Sequence, residues 1–231
     1  MNPPNNSFCF APMFNSAMHG HPLGTDGKVL MQHDATGAFH PYMAAFERMY
    51  SQGDGTVTTL KFDNHAKAAV EFQAISHAMA AAPAQLDAIV YFGHGWPTGL
   101  VSADIYCDQI PDFASLIRQN CVQGVTIVLY ACLCGKVNHP GGCFASRLAS
   151  ALSDVEATVY AHHDAGHTAT NPHLYRYCGS GLGKLVAPPD KTKEFNRLLK
   201  TECLDHKAKG GSAFWARVPF MDDDEIAAEV G

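Results

Sequence analysis

The chain has 231 residues, 47% of them hydrophobic and 16% charged, with a formal net charge of −6. A chain of this length buries roughly 70–75% of its unfolded surface, so it can fold around one large core without a disulfide or metal staple. The balance of 22 acidic against 16 basic residues, with no basic block, argues against nucleic acid as a partner. No apolar run approaches the roughly 20 residues that span a bilayer, so no membrane partner is expected.

The opening Met-Asn-Pro-Pro-Asn-Asn-Ser has neither a basic nor an apolar leader region, so no signal peptide is expected. Eight cysteines are scattered through a chain that does not need stapling, several of them in apolar patterns where free cysteine behaves as a small core residue. This usage predicts a reducing, cytoplasmic setting. Thirteen histidines are more numerous than expected and have to be sorted before any is assigned a role.

Residues 1–27 are rich in Asn, Pro, Gly and Met without periodicity and read as an irregular N-terminal arm. An α/β core is expected over 28–187, beginning with a short strand at Val29-Leu30-Met31 that ends in His33-Asp34. A helix follows over Pro41 to Tyr50, and then a β-branched strand over Thr56 to Phe62. Asn64 reads as the cap of a helix whose apolar positions run from Ala66 to Ala82, stopped by Pro83. Ala88 to Phe92 and Val125 to Tyr130 are continuous apolar runs, as expected of strands buried on both faces of a parallel sheet. Between them Ile110, Phe113, Ala114, Ile117 and Cys121 mark a helix, with Pro111 tolerated in its first turn. A helix around Phe144, Leu148 and Leu152 and a strand over Ala157 to Ala161 continue the alternation. Together these predict a three-layer α/β/α domain with a doubly wound, mostly parallel sheet and right-handed crossovers. Residues 188–231 read as an appendage, with a helix over Lys191 to Cys203, an edge strand over Ser212 to Phe220 and a short helix over Asp222 to Val230.

Ligands of open α/β sheets bind beyond the carboxyl ends of the strands. The two most apolar strands run into Gly93-His94-Gly95-Trp96 and Ala131-Cys132-Leu133-Cys134-Gly135. With one helix between them they can be sheet neighbours about 5 Å apart, which puts His94 and Cys132 on one edge. A cysteine nucleophile acts as its thiolate and needs a base within reach, and imidazole supplies it. The oxyanion of acyl transfer needs donors, for which the N–H groups of Gly95 and Cys132 are candidates. Glycines on both sides of His94 would let a substrate backbone approach closely.

These two strand ends resemble the caspase-like cysteine peptidases of clan CD. Members of that family have a hydrophobic strand ending in His-Gly and a later one ending in Ala-Cys, often as the Ala-Cys-x-x-Gly of CHAT and legumain-type enzymes. Ile89 to Gly95 and Ile127 to Gly135 carry the match, within a strand order that covers about residues 28–187. The resemblance implies a caspase-like fold and a Cys132–His94 dyad cleaving peptide bonds without a cofactor. The Gln-Ala-Cys-Arg-Gly box of caspases is missing, so aspartate specificity is not implied. Cys134 is a second thiol two positions on, expected to face away from Cys132 if the segment is extended.

In the resembling family the loops after the first and fifth strands shape the pocket for the residue before the scissile bond. Here they carry Asp34 and His162-His163-Asp164, which suggests that Asp164, with Asp34 and His163, receives a basic P1 side chain. Two other readings remain open. One is a catalytically silent module that binds a peptide or partner protein in the same groove. The other is a zinc-dependent hydrolase built on His162, His163 and His167, although no HExxH helix or paired CxxC supports it. The oligomeric state is not legible in the sequence.

Overall fold

A computed structural model describes residues 6–13, 43–44, 46–48, 50–51, 54–63, 68–164, 174–179 and 184–185. The main sheet contains β1 (Asn6–Met13), β2 (Thr56–Asp63), β3 (Leu86–Phe92), β6 (Cys121–Tyr130), β7 (Thr158–His162), β8 (Leu174–Cys178) and β9 (Lys184–Leu185). Its spatial order is β2-β1-β3-β6-β7-β8-β9. The first five strands are mutually parallel, and β8 and β9 add antiparallel pairs at one edge. A small antiparallel ribbon, β4 (Gly99–Leu100) with β5 (Ile105–Tyr106), follows β3. Helices α1 (Ala68–Ala80), α2 (Ile110–Asn120) and α3 (Phe144–Ala151) complete the described elements.

Strand alternation separates two buried faces. Phe8, Phe10, Ile89, Tyr91, Ile127 and Leu129 belong to one continuous core with Ile75 and Met79 of α1, Phe113 and Ile117 of α2, and Phe144 and Leu148 of α3. Cys9, Val90 and Phe92 are equally buried but point the other way. There the helical residues between 43 and 50 cover them: Met43 and Phe46 are buried, and the Phe46 ring meets Phe92 at 6.5 Å. The result is the mostly parallel, doubly wound sheet between helical layers that the sequence predicts. The chain leaves β1 for β2 on one side and returns past β1 to β3 on the other, so winding reverses between β1 and β3. Such a reversal opens a crevice at the carboxyl ends of those two strands, and His94 follows β3.

Two expectations need correcting. Residues 6–13 are not part of an irregular arm: they form β1, a central strand hydrogen-bonded on both sides, with Phe8, Cys9 and Phe10 inaccessible to solvent. Asn and Pro around it, and Pro12 within it, mask an otherwise apolar run. The core therefore begins at residue 6 rather than 28. Strand β6 starts at Cys121, four residues earlier than expected, because Gly124 (φ +79°) breaks the apolar pattern and shifts the register against β3. The expected strand at 29–31, the Asn64 cap and the elements expected after 188 lie outside the described residues. Among the described residues no helix is long and apolar enough to cross a membrane.

Candidate active site

Strands β3 and β6 are parallel neighbours with Phe92 opposite Tyr130, and the Gly93 N–H donates to the Tyr130 carbonyl at 3.4 Å. His94 and Cys132 each lie two residues beyond that pair. They therefore leave the sheet side by side at one edge, each partly accessible to solvent. Strand β7 pairs with β6 on the other side, Ala161 opposite Leu129, so His162, His163 and Asp164 emerge next to the Cys132 loop. An aromatic row underlies this edge: Phe92 stacks on Tyr130 at 4.8 Å and Tyr130 meets His162 at 5.8 Å.

The two loops touch at Gly95. A Cβ built there would lie 2.4 Å from Cys134 Sγ, 2.6 Å from Ala131 Cβ and 2.8 Å from the Cys132 carbonyl oxygen. At Gly93 a Cβ would lie 2.2 Å from the Tyr91 hydroxyl. The glycines flanking His94 thus admit the protein's own atoms, which corrects the expectation that they make room for a substrate backbone. Beyond Gly95 a tight turn is closed by the Trp96 N–H to Gly99 O at 2.9 Å and the Gly99 N–H to Trp96 O at 3.2 Å. Trp96 itself is 58% exposed on the rim.

Helix α3 ties the loops together. Its first N–H groups have no partner within the helix. The Phe144 N–H donates to Pro97 O at 2.7 Å in the His94 loop, and the Ala145 N–H to Cys134 O at 3.0 Å in the Cys132 loop. The Cys143 thiol accepts from the Ser146 N–H at 3.5 Å and completes the cap.

The Cys132 loop is a turn rather than an extended segment, with Leu133 at φ +63°. The Leu133 N–H donates to Asp164 O at 3.2 Å, the Gly135 N–H donates to His162 O at 2.8 Å, and the buried Tyr177 hydroxyl donates to Gly135 O. Cys134 is fully buried and its thiol donates to Gly99 O at 3.5 Å. Burial pushes this thiol far above the ordinary range. Cys134 is therefore a core thiol, and a turn puts it there rather than the alternation of an extended segment.

Burial also raises the thiol of Cys9 well above its usual value and that of Cys121 to about 12. Thiols react as thiolates, so iodoacetamide at pH 8 on the native protein is expected to spare Cys9, Cys121 and Cys134 while modifying Cys132 and the exposed Cys178. Peptide mapping by mass spectrometry checks this. Modification of Cys134 before Cys132 would contradict the assignment of the buried thiol.

Asp164 is brought next to the Cys132 loop through its backbone, but its carboxylate is 58% exposed and pairs with His163 Nδ1 at 2.8 Å. An exposed pair of this kind is weak and screened. Asp34 lies outside the described residues, as does His167 of the zinc reading. Among the described residues no group of three or more His, Cys, Asp or Glu side chains is arranged to hold a metal.

Two residues around His94 are missed by sequence reasoning. Ser102 Oγ accepts the His94 N–H at 2.9 Å, and the Tyr91 hydroxyl donates to the His94 carbonyl at 2.9 Å. Tyr91 reads in the sequence only as part of an apolar strand. Ser102 carries no signal at all, because its approach depends on the path of the β4–β5 ribbon.

No curated protein matches the sequence. Among solved structures, the crystal structure of the Arg specific cysteine proteinase gingipain R (RGPB) is similar at 16% identity with a TM-score of 0.37, over 69% of this chain and 32% of that one. The chain spans about a third of that protein's length. A family profile described as a domain of unknown function matches residues 59–174, from within β2 to the start of β8. The chain belongs to that family, DUF8616.

Proposed function

We propose that the chain is a cysteine peptidase in which Cys132 is the nucleophile and His94 its acid–base partner. One observation carries this reading: Phe92 is paired with Tyr130, so the two residues that follow each by two positions leave adjacent parallel strands at the same level. The packing of Gly95 against Ala131, Cys132 and Cys134 keeps the two loops in contact.

In the proposed reaction the Cys132 thiolate bonds to the scissile carbonyl carbon, and the resulting oxyanion is met by the N–H groups of Gly95 and Cys132. His94 passes its proton to the leaving amine as the C–N bond breaks, leaving a thioester. It then takes a proton from the water that releases the acid and regenerates Cys132. The protein's own groups supply every step, and a protein or peptide is the substrate. Asp164, bonded through its backbone to the residue after Cys132, is the acid proposed to meet an Arg or Lys side chain before the scissile bond, with His163 beside it and Asp34 as its expected companion.

A peptidyl acyloxymethyl ketone is expected to label Cys132 stoichiometrically and Cys134 not at all, with labelling lost in His94→Ala. Arg and Lys peptides should react before Asp peptides, and Asp164→Ala should remove that preference without removing reactivity. Peptide binding without labelling would instead make the chain a silent binding module.

A further inference from the structure

We propose that Tyr91 and Ser102 are positioning residues for His94, holding the peptide groups on both sides of its Cα so that the imidazole is held facing the Cys132 loop. This inference rests on the dyad proposed above.

The His94 main chain is held at both polar atoms. Its N–H donates to Ser102 Oγ at 2.9 Å, and its carbonyl accepts from the Tyr91 hydroxyl at 2.9 Å and from the Ser102 N–H at 3.5 Å. Both partners are buried, Tyr91 completely and Ser102 with 6% exposure. Burial keeps the Tyr91 phenol protonated throughout the working range, so it remains a donor. Loops beyond strand ends ordinarily satisfy such groups with water. Here Tyr91, the penultimate residue of β3, folds its hydroxyl back under the loop three residues on, which is possible only because Gly93 has no side chain. Ser102 reaches His94 from a turn held between β4 and β5. With the backbone fixed, only two side-chain torsions separate the imidazole from its working position, and preorganisation of this kind is where catalytic rate is gained.

The test uses iodoacetamide, too small to need a substrate pocket, with the rate at Cys132 followed by mass spectrometry from pH 5 to pH 9. In the wild type the rate should depend on His94 and rise through an inflection below the ordinary thiol range of about 8.5. In Tyr91→Phe, which removes one oxygen from an otherwise unchanged ring, and in Ser102→Ala, the inflection should move up by about one pH unit. The rate at pH 6 should then fall about fivefold to tenfold. Ser102→Thr, which retains the acceptor, should keep the wild-type profile. Cys134, His162, His163, Asp164 and Glu71 surround these loops, and neither substitution removes a charge, so a moved inflection reports geometry. Loss of stability alone would lower the amplitude and leave the inflection in place.

Wild-type profiles in both Tyr91→Phe and Ser102→Ala, with the His94 dependence of the parent intact, would overturn the grip and leave the dyad standing. A parent protein whose Cys132 rate is indifferent to His94→Ala would overturn the dyad itself, and the grip with it.

Discussion

Replacing Phe10 by alanine is expected to destabilise the protein by about 3–5 kcal/mol, the cost of emptying a buried aromatic site. Phe10 is inaccessible to solvent on a strand bonded to β2 and β3, with its ring 5.4 Å from Phe8 and 5.0 Å from Tyr91. A loss of that size is a large part of the stability of an ordinary domain, and for a chain of this length it lowers Tm by about 10 °C. A urea titration measures it directly through the midpoint. An irregular arm would tolerate the change, so a loss below about 1 kcal/mol would remove β1 from the sheet. Because Phe10 also backs the Tyr91 ring, the variant should disturb His94 as well as the core.

Replacing Gly95 by alanine is expected to lower the reactivity of Cys132 toward a peptidyl electrophile by about a hundredfold, the scale of an ångström's misplacement between reacting groups. The added methyl would meet Cys134 Sγ, Ala131 Cβ and the Cys132 carbonyl, all under 3.0 Å and none of them the tip of a flexible side chain. The His94 loop has to move away from the Cys132 loop. Overpacking of this kind also costs about 1–3 kcal/mol, so labelling rates and a thermal melt should be read together. If the melt falls and the rate does not, the contact at Gly95 serves stability alone.

Legibility in the sequence followed the strength of the local pattern. Strand β3 was readable because a strand covered on both faces is apolar nearly throughout; β6 was readable from the apolar run at its end, although, contrary to expectation, it is buried on one face and only half-buried on the other. Helices α1, α2 and α3 were readable because their buried residues recur every three or four positions. Strand β1 was obscured by Pro12 and the surrounding Asn and Pro residues, which are loop signals in isolation and are overridden here by two hydrogen-bonded neighbours. That His94 and Cys132 follow neighbouring strand ends was legible because register and strand direction fix where each strand ends. What surrounds them was not, since Ser102, Cys134 and the start of α3 reach the site along loop paths that follow no period, and the Tyr91 hydroxyl reaches it by folding back from β3 to a carbonyl three residues on. The glycines flanking His94 illustrate the limit: their need for space was evident, and what fills the space was not.

The bonds that α3 and Tyr177 make to the two loops set an order of assembly. The carbonyls of Pro97 and Cys134 meet their donors in Phe144 and Ala145, and that of Gly135 meets its donor in Tyr177. Both proposed reactive residues precede all of these donors in the chain. A chain ending near residue 140 holds His94 and Cys132 and lacks the clasp between their loops, so the clasp is complete only once α3 and β8 have been made and docked.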